Sequence, residues 1–281
     1  MNDVHAMTVG SAAQVRERPR THGLNARMVS AEFLKVRKRR GLVAWSAVLT
    51  VVPVGLFFGI SVILHAEDPA RYGPAGGVSN LAEIMGVLAT LGSVAAVLIG
   101  ATMGAGDVQT GVFRDLVSTG RSRIALFAAR APGGLALLWP LLALAWVIAS
   151  AASVAFAGNL ASPAMSLMIQ GGAWVFLAAT SIYVLALGVA SLTASRSTTV
   201  GIVLAWLFAV TQLLLQITGL GAARQALQMS ALTRFIPAGL QEQSPDPVIA
   251  SMSAGVAILV LVAWAVIPLA AGAWRTRTRD A

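Results

Sequence analysis

Six stretches of this chain each run for more than twenty residues with no Lys, Arg, Asp, Glu or His in their interior, Glu83 sitting at the edge of the second: 42–64, 82–104, 133–157, 170–192, 199–220 and 248–273. A bilayer core of about 30 Å needs about 20 apolar residues in a helix that crosses it. A soluble helix keeps a polar stripe toward water, and these blocks have none. Only 11% of the residues are charged while 57% are hydrophobic, against about a quarter charged in soluble domains. The pattern predicts an all-α integral membrane protein with six transmembrane helices. Pro53, Pro140 and Pro268 fall inside the blocks, where neighbouring helices can satisfy the carbonyls a proline frees.

The segments between the blocks carry the charge, and they carry it unevenly. Seventeen of the twenty Lys and Arg residues fall in 1–40, 105–131, 193–198 and 274–281, leaving Arg71, Arg224 and Arg234 on the opposite side. The positive-inside rule then predicts a plasma-membrane protein with both termini in the cytoplasm. In a soluble protein the net charge of +9 would suggest nucleic acid; here the cations flank apolar spans and meet lipid headgroups, so no nucleic-acid partner is expected. Residues 1–27, rich in Arg, Thr and Gly, read as a disordered cytoplasmic tail ahead of a membrane domain over 28–281. The polar stretch before the first block is too long, and the block itself too apolar for too many residues, to be a cleavable signal. From Met28 to Arg40, Val29, Phe33 and Val36 share one face among Lys35, Arg37, Lys38, Arg39 and Arg40, the pattern of a short helix lying in the membrane interface.

Several chemistries are excluded. A P-loop needs Gly-Lys before Ser or Thr, and neither of the two lysines, Lys35 and Lys38, follows glycine. His5, His22 and His65 are too scattered for a paired metal motif, and there is no cysteine. No catalytic, cofactor-binding or metal-binding residue is predicted. One match remains: Gly104-Ala105-Gly106-Asp107 fits the Gly-x-Gly-Asp of certain membrane aspartyl proteases. That chemistry needs a second carboxylate sharing a proton, and no other block carries an aspartate. The simpler reading is a helix end with flexible glycines.

The longest loop on the basic side, between the second and third blocks, has a helical pattern of its own. Val112, Leu116 and Val117 fit one apolar face, Gly120 ends that turn, and Ser122-Arg123 starts the approach to the third block, with Arg130 further along. With the six-block layout, this loop resembles the permease subunit of type-2 ATP-binding-cassette transporters. The shared features are an acidic residue (Asp107), a glycine (Gly111), a short amphipathic helix, and Ser-Arg followed by a basic residue. Glu32-Phe33-Leu34-Lys35 is similar to the family's first segment.

The resemblance implies that the short helix is a coupling helix docked on a separate ATPase subunit, which would bind ATP and Mg; this chain would bind no cofactor and would not be an enzyme. Asp107, Thr110, Gly111, Phe113, Arg114, Leu116, Arg121 and Arg123 are the implied coupling residues, with Phe113 as hydrophobic anchor. A second permease copy or paralogue would complete the transporter, an exporter of unspecified substrate. A motor-independent carrier or channel, a membrane protease and a non-transporting scaffold are the alternatives. Thr211, Gln212 and Gln216 present polar groups on the fifth block, suited either to a translocation path or to bonds between helices; Gln170 and Tyr183 on the fourth are weaker candidates. Gly92, Ala96, Gly100 and Gly104 recur every fourth residue, which lets helices approach closely, within one subunit or between two.

Overall fold

The computed structural model describes residues 25–112, 115, 116, 120, 122–241 and 251–278. Among them there is no strand, and six helices are long and apolar enough to cross a membrane: Arg40–Glu67, Gly77–Gln109, Arg123–Ala155, Met165–Thr193, Arg196–Gln216 and Ala254–Thr278. We call them spans 1 to 6. The protein is a multi-pass membrane protein.

Spans 2 and 4 form the centre. Two-thirds of the most apolar window of each is buried, against 17% for spans 1 and 5 and 11% for span 6. The outer spans instead turn large apolar side chains outward, such as Leu56 and Ile60 on span 1 and Leu259 and Ile267 on span 6, where lipid is their solvent. Spans 2 and 4 meet backbone to backbone. A Cβ added at Gly100 would lie 2.7 Å from the Tyr183 carbonyl oxygen, and one at Gly104 would lie 2.6 Å from that of Leu187. Gly92 faces Leu142 of span 3 instead, and Ala96 is fully buried. The four-residue stripe therefore packs span 2 inside its own chain. Span 6 joins span 4 through a similar approach, with Pro268 against Gly188.

Span boundaries depart from the hydropathy reading wherever a charge is paired or a glycine turns the chain. Span 2 continues five residues past Gly104, to Gln109, and span 3 starts at Arg123 rather than at 133. Span 1 is interrupted at Val51 between Arg40–Thr50 and Val52–Glu67, and Pro53 occupies the first turn of the second piece, where its missing N–H costs no bond. Span 5 was expected to reach residue 220 but ends at Gln216. It holds one wide π turn at Trp206–Val210, and Gly221 (φ +47°) lies within the 3-10 turns of Thr218–Ala226 that follow. A short helix, Gln228–Thr233, comes after those 3-10 turns. Indole N–H groups hold both down: Trp264 Nε1 donates to the Ala226 carbonyl at 2.9 Å and Trp174 Nε1 to that of Leu232 at 3.1 Å. The expected start of the sixth span at 248 and residues 1–24 of the tail expected over 1–27 lie outside the described residues, while Ala26 and Arg27, expected in the tail, open the N-terminal helix.

The N-terminal helix, Ala26–Arg37, begins on Asn25, whose side chain accepts the Arg27 N–H at 3.1 Å. Its buried residues are Met28, Glu32 and Val36, one turn apart. The expected apolar face centred on Val29, Phe33 and Val36 is thus rotated, so that a carboxylate points inward. The helix crosses span 3 at Gly133, where an added Cβ would meet Glu32 Cβ at 2.7 Å.

Candidate functional site

The inward rotation of the N-terminal helix brings four charges together at the basic end of the bundle. Lys35 Nζ donates to Glu32 Oε1 at 2.8 Å and to both Asp107 oxygens at 2.8 and 3.0 Å. Arg130 Nη2 donates to Asp107 Oδ2 at 3.1 Å, and its Nη1 to the Gly104 carbonyl at 3.2 Å. Glu32, Asp107 and Arg130 are all buried, Arg130 to 1% exposure, while the Lys35 side chain keeps a third of its surface. Two acids and two bases leave no net charge, which is what allows spans 2 and 3 to carry ionic residues at all. Tyr183 of span 4 closes the network by donating to the Arg130 carbonyl at 2.7 Å; it is fully buried there.

The network joins the two stems of the long loop. Asp107 is on the last turn of span 2 and Arg130 is on the second turn of span 3, and Lys35 ties both to the N-terminal helix. Between the stems the chain stops the helix sharply. Thr110 returns its hydroxyl to the Gly106 carbonyl at 2.9 Å, and Gly111 takes φ +75°, the left-handed position at which helices end on glycine. Gly120 has φ +78°, a left-handed value that glycine adopts without steric cost. Leu116 packs against Met28, Ala125, Leu126 and Ala129, so part of the loop folds back on the bundle. Arg123 Nη1 donates to the Arg277 carbonyl at 3.2 Å, linking the start of span 3 to the end of span 6. Phe113, Arg114 and Arg121 lie outside the described residues.

Of the implied coupling residues, then, Asp107 faces inward and is occupied by cations, Thr110 and Gly111 end a helix, Leu116 points inward, and Arg123 braces span 6. Glu32 and the inward role of Lys35 were missed by sequence reasoning. Their signal was present in the (i, i+3) pairing of a carboxylate and an ammonium beside Val36, together with one unmatched acid ending span 2. The two glycines before Asp107 also find their reason. Gly104 lets span 4 approach, and Gly106 sits 3.2 Å, measured from an added Cβ, below the Arg39 guanidinium. They serve close packing inside a continuing helix, in place of the flexible end that the sequence suggested.

The polar residues of span 5 are divided. Thr211 is buried, while Gln212 and Gln216 are exposed; Gln212 lines a partly open cavity of about 480 Å³ bounded by spans 2, 4 and 5 and the helix Gln228–Thr233, with Thr90, Phe208 and Met229 also exposed along it. Gln170 is exposed at the start of span 4. Among the described residues no group of three or more His, Cys, Asp or Glu could hold a metal ion.

A neutral ion cluster thus lies at one end of this multi-pass membrane protein and an uncharged, partly open cavity nearer the other. No family model matches the chain, and no curated protein matches it.

Proposed function

We propose that this chain is the membrane-spanning permease subunit of an ATP-driven transporter of the type-2 ATP-binding-cassette kind, working as an exporter with a separate ATPase subunit. The observation that carries the reading is the ionic base of the long loop. A motor outside the membrane must push through a stiff lever, and Asp107, Arg130 and Lys35 make both stems of this loop one body with the N-terminal helix. Movement of the loop would therefore be delivered to spans 2 and 3 together and, through Tyr183, to span 4. In this reading Asp107 positions the lever, and the contact with the ATPase falls to Phe113 with Arg114 and Arg121 around it. The same pairing disfavours a protease, because both oxygens of Asp107 are held by cations and a shared proton has no place there.

The ATPase, binding ATP and Mg, would dock on the cytoplasmic side of the plasma membrane, the side to which the basic end is assigned. Reporter fusions test that orientation. A periplasm-type reporter is expected to be active at residue 75 and silent at residue 118, and the reverse pattern would overturn it.

The motor itself is tested by purifying the tagged chain from its native membranes and identifying what comes with it. An ATPase with a P-loop is expected. Phe113→Ala with Arg114→Glu is expected to lower its recovery about thirtyfold, the equivalent of about 2 kcal/mol for a hot-spot aromatic, at equal permease levels. Recovery of an ATPase at the wild-type level with this variant would remove the coupling assignment.

A further inference from the structure

We infer that the cavity between spans 2, 4 and 5 is a binding site for an uncharged amphiphile: an apolar body carrying at least one hydroxyl or N–H donor. As the substrate class of the transporter proposed above it rests on that reading; as a binding site it rests on the cavity alone.

Charge is the first filter. None of the residues lining the cavity is Asp, Glu, Lys, Arg or His. An ion entering it would lose its hydration and find no counter-charge, a cost that buried ions avoid only by pairing. Two charges flank it, Glu83 one turn before Gly86 on span 2 and Arg234 next to Thr233, and neither lines it; the ion network of spans 2 and 3 is at the other end of span 2.

Hydrogen bonding is the second filter, and it is directional. Three hydroxyls border the space, and each has given its proton to its own helix. Thr90 donates to the Gly86 carbonyl at 3.0 Å, Ser93 to Ala89 at 2.6 Å and Thr233 to Met229 at 2.9 Å. The Trp174 N–H is likewise committed to Leu232. What these hydroxyls still offer is lone pairs. The Gln212 amide, which takes no partner among the described residues, supplies donors and one more acceptor. The wall is therefore richer in acceptors than in donors, and a ligand that brings donors satisfies it. A pure hydrocarbon leaves the amide unpaired.

Size and construction agree with an occupied space. About 480 Å³ lies in the usual range of small-molecule pockets, roughly 300–1,000 Å³. The wide turn at Trp206–Val210 contributes Leu207 and Phe208 to the wall, and such turns recur where helices bind something. Gly86 also lines the cavity, yet an added Cβ there would meet nothing within 4 Å. Packing does not demand that glycine, and its effect is to leave the space open.

The test uses the full chain in nanodiscs of phosphatidylcholine, with four twelve-carbon photoreactive diazirine probes: the alcohol, the ammonium, the carboxylate and the plain alkane. Sites of insertion are mapped by mass spectrometry. The alcohol is expected to label 207–212 and 229–236 saturably, with the two charged probes at least about tenfold weaker. Gln212→Leu is expected to lower alcohol labelling about fivefold and to leave alkane labelling unchanged. Gly86→Phe is expected to abolish labelling at both segments while the melting temperature holds, since its ring enters empty space. Equal labelling by alcohol and alkane would mean that an ordinary acyl chain fills the groove and would overturn the proposal. So would labelling that survives Gly86→Phe. No ATPase is present in this assay, so its failure leaves the co-purification result standing. Conversely, a chain that captures no ATPase but labels as expected keeps the site and loses only the transporter reading.

Discussion

Replacing Gly104 with leucine is expected to prevent recovery of monodisperse protein from membranes. The added Cβ would lie 2.5 Å from Ala190 Cβ and 2.6 Å from the Leu187 carbonyl oxygen, separations that real atoms do not tolerate. Relief cannot come from a side-chain rotation, because one obstacle is the backbone of span 4. Spans 2 and 4 would have to part along the most buried seam of the bundle. Overpacking costs about 1–3 kcal/mol where side chains can yield, and the cost here should exceed that range. The matched control is Gly86→Ala on the same helix, with nothing within 4 Å of the new methyl. It should leave stability unchanged or raise it by up to about 1 kcal/mol, the helix-propensity difference. Size-exclusion profiles of fluorescently tagged variants read both. Equal behaviour of the two would mean that the seam between spans 2 and 4 is not as close as described.

The second large effect belongs to the ion network. Asp107→Ala leaves the buried Arg130 guanidinium without a carboxylate, and breaking such a pair typically costs about 3–5 kcal/mol; Arg130→Ala should cost less, because Asp107 keeps Lys35 on both oxygens. Lys35→Ala should cost clearly less, because a third of that side chain faces solvent and water takes over part of its role. The diagnostic variant is the double replacement Asp107→Leu with Arg130→Met. It removes one acid and one base, keeps the Lys35–Glu32 pair, and should recover much of the stability lost in either single variant. Thermal melting of the purified chain gives the order. If the proposed lever is real, the double variant should remain folded and bind the ATPase, yet lose substrate-stimulated ATP hydrolysis. Retained stimulation would show that the stems need no ionic brace.

What could be read from the sequence was what depends on single segments. Six apolar blocks are a property of each block alone, and each block corresponds to one crossing helix. Their ends were read less well, for a consistent physical reason. Hydropathy scores Arg130 and Asp107 as if each were alone, whereas the fold places them 3.1 Å apart, so spans 2 and 3 both run further toward the basic end than the sequence suggests. The opposite error occurs at the end of span 5. Ile217-Thr-Gly-Leu220 is apolar enough to continue a span, but the backbone turns at Ile217. The N-terminal helix was found from its periodicity, while its orientation was not, since nothing within 26–37 says that a carboxylate across the bundle awaits Lys35. The cavity was the least legible feature. It needs Thr90, Trp174, Gln212 and Met229 from four separate elements, and only Gln212 among them stood out in advance.

The wide turn at Trp206–Val210 has a mechanical consequence. It gives span 5 a surplus residue, a piece of slack held between Arg196–Ala205 and Thr211–Gln216. At 3.6 residues per turn, each residue turns the chain about 100° round the helix axis. Were the slack to travel one turn onward, the side chains it passed would swivel by about that angle, while both ends of the span stayed where the rest of the bundle holds them. Gln212 would leave the cavity wall and Thr211 would take its place. A wall that trades an amide, with two N–H donors and a carbonyl, for a single hydroxyl would hold a hydrogen-bonding ligand by fewer bonds, and the change would be a ripple along a single helix, with no opening of the tightly seated spans 2 and 4.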